Sequence, residues 1–213
     1  VMRSLPNMTV IETADATDVE SVLELSNAVD GPVYIRMVRG EIPRLFPAKN
    51  QTILGKARIL SLGSDITLLT SGICTEESLR VTDILKDRGI GVQHLHVTTL
   101  KPFDDHRVSE ALAKARYGII TMENHTSIGG LGSCVAEMIA KFGIATKLIK
   151  VAINDTYLQG ASRTFLMERY GIDVKALLSA IESLVGEKID ISDADLTTSR
   201  QDSFFNENQQ EAL

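Results

Sequence analysis

The chain contains no tryptophan, and phenylalanine and tyrosine bring its aromatic share to only 5%. Its core must therefore be built from Val, Ile, Leu and Ala, the side chains that fill a parallel sheet covered on both faces. Cysteine is nearly missing too. Cys74 and Cys134 are too few for a disulfide framework and lack metal-ligand spacing, so both are expected as buried small hydrophobes. No apolar run approaches the ~18 residues of a membrane helix. Basic residues form no cluster, and a net charge of −6 argues against a nucleic-acid or anionic-membrane surface. No signal-peptide pattern opens the chain, so the Asn-x-Ser/Thr matches at Asn7, Asn50, Asn124 and Asn154 carry no weight, and a cytoplasmic protein is expected.

What is present is alternation. At 213 residues the length allows two unequal folded units. Residues 8–38 read as strand, helix, strand: an apolar run from Met8 to Ile11, a helix over about 16–29 capped by Asp15 with Val19, Val22 and Leu23 inward, a stop at Gly31–Pro32, and a strand over 33–38. From Gly40 to Gly63 the periodicity fades, and Pro43 and Pro47 mark a connector with room for a short hairpin, where the domain boundary is placed. Beyond it, strands at 66–70, 92–97, 118–123 and 147–153 alternate with helices near 75–88, 105–115, 131–142 and 162–169, and a last helix starts at Asp173. In the 131–142 helix Val135, Met138, Ile139 and Phe142 share one apolar face. The pattern predicts an α/β fold with a doubly wound, mostly parallel sheet. After Glu187 the composition turns polar, and a tail over 188–213 is expected to be largely disordered or loosely attached, with Phe204–Phe205 available to dock.

Several constellations could carry chemistry. Arg39 stands just beyond the carboxyl end of the strand 33–38, where ligands bind in open α/β sheets, and a guanidinium there suits a phosphate or carboxylate. A surface pairing with Glu41 is the plain alternative, and Arg36 competes for the role from inside the strand. Gly129, Gly130 and Gly132 lie at a strand-to-helix turn and could cradle a phosphate, but their spacing matches no phosphate-binding motif, and tight chain reversal explains them. Glu123, Asn124 and His125 could form an acid–base group, or could equally hydrogen-bond the turn or pack at a subunit interface. His94 and His96 share a strand face as a possible metal pair, with no third ligand evident. Near His106, Asp104 and Asp105 read as helix caps.

Taken together, Arg3–Ser4–Leu5–Pro6–Asn7, Ala14–Asp15–Ala16, Gly31–Pro32–Val33–Tyr34–Ile35–Arg36 with Arg39, Lys101–Pro102–Phe103–Asp104, and the run from Glu123–Asn124–His125 to Glu137 resemble the transketolase family, in the form split into two shorter chains. The resemblance spans nearly all of residues 1–187. It implies that residues 1–46 are the final part of a pyrimidine-binding domain, 47–59 a linker, and 60–187 the C-terminal domain, with 188–213 a polar tail. Thiamine diphosphate and Mg2+ would serve the complete enzyme, held by segments before Val1 or by a partner chain, and none is expected bound to this chain alone. Arg39 would contact the sugar phosphate, with no catalytic, cofactor-binding or metal residue in the chain. The complete enzyme would transfer a two-carbon ketol unit between sugar phosphates. The implied partners are an N-terminal subunit and a second copy in a homodimer, and the isolated chain is expected to be inactive. A 2-oxo acid dehydrogenase E1 β subunit, a deoxyxylulose-phosphate synthase, or a non-catalytic dimerisation and regulatory module are the alternatives. Glu123–Asn124–His125 before the glycine turn favours the transketolase branch.

Overall fold

The apolar run becomes strand β1 (Thr9–Glu12), Asp15 starts helix α1 (Ala16–Ser26), and β2 (Val33–Arg36) returns parallel to β1. This computed structural model describes residues 1–40, 42–49, 51–192, 195 and 196. The cap forms as its residue type dictates, the Asp15 carboxylate accepting from the Asp18 N–H at 2.9 Å. The inward face of α1 departs from expectation: Val22 is buried, but Leu23 is 52% exposed and Val19 only half-buried, while Thr17, Asp18 and Ser21 are buried. The reason is what α1 packs against. The connector after β2 lies along it, and its irregular backbone needs polar partners. Asp15 Oδ2 accepts from Leu45 and Phe46 N–H at 2.7 and 2.9 Å, and the Thr17 hydroxyl donates to the Phe46 carbonyl at 2.6 Å. Thr52 gives its hydroxyl to Asp18 at 2.6 Å and its N–H to Ser21 Oγ at 3.1 Å.

The connector adds one strand rather than a hairpin: β3 (Arg58–Ser61), which runs antiparallel to β5 (Val92–His96) at the edge of the larger sheet. β4 (Ile66–Thr70), β5, β7 (Gly118–Thr126) and β8 (Leu148–Ile153) are mutually parallel, in the order β3-β5-β4-β7-β8. A short strand invisible in the periodicity, β6 (Thr99–Lys101), leaves this sheet and pairs antiparallel with β1, giving a second sheet ordered β2-β1-β6. The larger sheet is thus mostly parallel as expected, with an antiparallel edge strand, while the 8–38 unit forms its own mixed sheet through β6. Three residues are too few to show alternation, and the pairing that makes β6 a strand lies some ninety positions upstream.

Helices cover both faces of the larger sheet. α2 (Cys74–Asp87) and α6 (Val174–Val185) pack on Ile66, Leu68, Ile120 and Met122; α3 (His106–Lys114) and α4 (Leu131–Phe142) pack on Leu69, Leu95 and Ile119. Adjacent strand residues thus serve opposite cores, which is why these strands read as continuous apolar runs. Cys74 and Cys134 are free and buried, one in each core. Phe142, placed on the inward face of α4 by periodicity, is exposed at the last turn. α5 (Arg163–Tyr170) lies over the carboxyl ends of the strands through Met167.

The polar tail does not detach at 188. Ile189 and Ile191 pack against the α2/α6 core, and Leu196 joins it while its carbonyl accepts from Arg80 at 3.0 Å. Residues 197–213, with Phe204–Phe205, lie outside the described residues. Among the described residues no helix is long and apolar enough to cross a membrane.

Candidate functional site

The carboxyl ends of β1, β2 and β4 meet around one buried carboxylate. Glu12, the last residue of β1, accepts from the Arg36 guanidinium and from the Ser71 hydroxyl at 3.2 Å. Gly72 follows β4 with φ +57, and a Cβ there would stand 2.6 Å from Glu12 Oε1, so glycine makes room for the carboxylate. Arg36 is therefore committed to Glu12. Arg39, three residues on, is exposed and, among the described residues, has no hydrogen-bond or ion-pair partner. Its expected surface partner Glu41 lies outside the described residues. Val38 and Ile42, on either side of Arg39, pack on Ile73, Ile153, Met167 and Ile172. The loop carrying Arg39 is thus pinned over the carboxyl ends of β4 and β8, where substrates of open α/β sheets collect.

The glycine turn has a different occupant from the one a phosphate loop would hold. Glu123, fully buried, reaches under the turn and accepts from Leu131 N–H through Oε2 and from Gly132 N–H through Oε1, both at 2.7 Å. These are the free N–H groups at the start of α4, and the carboxylate neutralises that end of the helix dipole. Burial pushes the Glu123 carboxyl up from its ordinary value, and the two N–H bonds hold it back. The anion-binding position is filled from within, so the turn is no phosphate cradle. His125 donates through Nδ1 to the Thr126 carbonyl at 2.9 Å. Arg3 closes the group from above, donating to the Gly129 carbonyl at 3.0 Å and to Glu137 at 2.7 Å. Lys101 in turn holds the Arg3 and Leu5 carbonyls. Three motifs far apart in sequence are one contact network.

His94 and His96 do share a face, and both are fully buried among hydroxyls and one carboxylate. His96 Nε2 is 2.8 Å from Asp18 Oδ2 and Nδ1 is 2.8 Å from Thr75 Oγ1; His94 Nε2 is 3.0 Å from Thr70 Oγ1. Burial, and then the charge of His96, push the His94 imidazole down to about 3. Burial works against ionising Asp18, but His96, Thr52 and the Ala14 N–H overcome it and hold the carboxyl well below the usual range. Sequence reasoning missed Asp18 as the partner; the unexpectedly polar face of α1 was its only local signal. At α3, Asp105 rather than Asp104 is the cap, also binding Arg107 at 2.8 Å, and His106 sits exposed near Glu110.

Among the described residues, no group of three or more His, Cys, Asp or Glu side chains is placed to hold a metal ion. The buried carboxylates at the strand ends are spent on Arg36, Ser71 and the α4 amides. The donor set does not fit a diphosphate–metal site.

A family model described as "Transketolase, C-terminal domain" matches residues 55–198. The chain belongs to the transketolase C-terminal domain family. A "Putative transketolase C-terminal section" of Methanocaldococcus jannaschii is 34% identical over 183 residues, covering 85% of this chain and 57% of that protein. The "6-deoxy-6-sulfo-D-fructose transketolase subunit SqwH" of a Clostridium species is 34% identical over 188 residues, covering 88% and 58%. The chain therefore spans little more than half the length of these transketolase relatives. Among solved structures, "Split gene transketolase, inactive beta4 tetramer" superposes with a TM-score of 0.81 at 31% identity, covering 88% of this chain and 61% of that one.

Proposed function

We propose that the chain is the C-terminal part of a split, transketolase-type enzyme that transfers a two-carbon ketol unit between sugar phosphates. The observation that carries the reading is the similarity to the "Putative transketolase C-terminal section", which extends over 85% of this chain but only 57% of that protein. We assign residues 1–46 to the end of a pyrimidine-binding domain, 47–59 to a linker and 60–187 to the C-terminal domain. On this reading the partners are an N-terminal subunit and a second copy of the chain. Thiamine diphosphate with Mg2+, held by other segments, supplies the carbanion sink when bound.

This chain's own contribution is Arg39. Its exposure at the carboxyl end of β2, with Arg36 already engaged by Glu12, supports it as the cation that receives the substrate's phosphate in bidentate fashion. The test is calorimetric titration of thiamine diphosphate plus Mg2+ into the chain, repeated after adding an N-terminal subunit of a split transketolase. Binding and ketol transfer only in the mixture support the assignment. Tight cofactor binding to the chain alone, or an inactive mixture that nonetheless assembles, would sink it.

A further inference from the structure

A cleft of about 270 Å3 opens at the carboxyl end of β5, where Arg58 of the antiparallel β3 pairs with His96. Its walls come from the connector, from Thr98 just after β5 and from Arg107 at the start of α3; Arg39 takes no part in it. Three of its side chains are cations, Lys56, Arg58 and Arg107, and among the described residues that line it none is acidic. In a chain of net charge −6 this is a local reversal of sign. The cleft between α2, α5 and α6 differs: Arg80, Arg163 and Lys175 share it with Glu77, Glu168 and Asp173, so its charges balance.

The carboxylate that organises two of these cations lies behind them. Asp105 is 4% exposed, and its Oδ2 accepts from the Ala57 N–H at 2.9 Å and from Arg107 Nη2 at 2.8 Å. Arg107 Nε donates to both carboxylate oxygens at 3.2 Å, and Nη2 donates also to the Ala57 carbonyl at 3.0 Å. The guanidinium is thus fixed along one edge, and its Nη1 makes no hydrogen bond among the described residues. Lys56 Nζ stands 3.6 Å from Asp105 Oδ1, an ion pair beyond hydrogen-bond distance that leaves its N–H groups available. Arg58 lies deeper, 3.4 Å from Asp18 and 4.2 Å over the Phe46 ring. Three cations therefore meet two carboxylates, with one positive charge in excess.

We propose that this cleft binds the phosphate group of a small phosphate monoester, with Lys56 Nζ and Arg107 Nη1 as its main donors. A phosphate offers three strong acceptor oxygens, enough to meet an ammonium and a guanidinium that approach from different walls. The volume is just below the ~300–1,000 Å3 of sites for drug-sized ligands, which suits a small metabolite and excludes a dinucleotide. Ile53 and Ile59 line the same cleft at 65% and 43% exposure, an apolar rim on which the carbon skeleton of an ester can rest and which a free inorganic ion would leave bare. The site is separate from Arg39 and does not depend on the role given to that residue.

The experiment is an NMR titration of the full chain with glycerol 3-phosphate, with inorganic phosphate, sulfate and glycerol as parallel probes, at constant ionic strength because salt screens exposed cations. Saturable shifts of the Ala57, Thr98 and Arg107 amides are expected, tightest with the monoester and absent with glycerol. Lys56→Met and Arg107→Gln are each expected to weaken binding about tenfold or more, the value of one charge-assisted hydrogen bond. Arg39→Ala is expected to leave the affinity unchanged. Lys56→Met removes a half-exposed side chain from outside the Asp105 hydrogen bonds, so it remains decisive even where Arg107→Gln disturbs the fold. Absence of saturation, sulfate or inorganic phosphate binding as tightly as the monoester, shifts that survive Lys56→Met, or binding lost in Arg39→Ala would each overturn the proposal. An Arg39 without a part in ketol transfer would leave it standing, and the reverse also holds.

Discussion

The carboxylate of Glu123 occupies the space that a side chain on Gly130 would need. A Cβ on Gly130 would overlap Glu123 Oε2, stand 2.8 Å from its Cδ and lie 3.0 Å from His125 Nδ1. The backbone of Gly130 has an ordinary negative φ of −93, so the demand for glycine here is for room rather than for left-handed conformation.

Gly130→Ala is therefore expected to displace the carboxylate from the two α4 amides and to cost about 2–4 kcal/mol, the scale of breaking a buried, charge-assisted pair of hydrogen bonds. Urea unfolding of the variant checks it. An effect below about 0.5 kcal/mol, typical of surface changes, would mean that the turn relaxes freely and that Glu123 is not locked in place.

Asp15 caps α1 and holds the Leu45 and Phe46 amides of the connector with its other oxygen, so Asp15→Ala removes three hydrogen bonds at a buried site. A loss of about 2–4 kcal/mol is expected, with faster amide exchange at Leu45 and Phe46. Leu23→Ala on the exposed face of the same helix should change stability by less than about 0.5 kcal/mol. A larger cost at Leu23 than at Asp15 would show the polar face of α1 to be incidental.

Acid should destabilise the fold well above the carboxylate range. His94 titrates at 6.5 in the unfolded chain and about 3 in the folded one, so its neutral form is favoured by folding. A depressed folded value contributes stability that is complete above pH 6.5 and is lost as pH falls toward 3. Asp18, also depressed, adds a loss in the same direction at lower pH, as its carboxylate is protonated. One proton sets a limiting slope of about 1.4 kcal/mol per pH unit. Unfolding free energies at pH 7, 6 and 5 should fall accordingly, and His94→Gln should flatten that slope. An unchanged slope in the variant would assign the loss to other groups.

In the assembled enzyme, Arg39→Ala should raise KM for phosphorylated substrates on the order of 10–100-fold, the value of one or two charge-assisted hydrogen bonds. Reaction with an unphosphorylated ketose should change little. Equal losses on both substrates would point to a folding defect in the loop, and no loss on either would remove Arg39 from the site.

Much of this was legible in the residues. Asp15, Asp105 and Asp173 announce helix starts and serve as caps where expected. Ile66 to Leu69 and Gly118 to Met122 announce strands buried on both faces, and the i, i+3, i+4 spacing in α4 puts Val135 and Met138 in the core. These features depend on neighbours within a turn or two of chain, so the sequence by itself determines them. The tertiary structure alone decides β6, whose pairing partner β1 is remote, and the inward turn of α1, whose polar face answers a connector without periodicity. It also decides which anion fills the glycine turn and which charge meets His96, because the Glu123–Leu131 and Asp18–His96 contacts depend on how the chain folds back, and a buried polar group takes whichever partner that folding brings within reach.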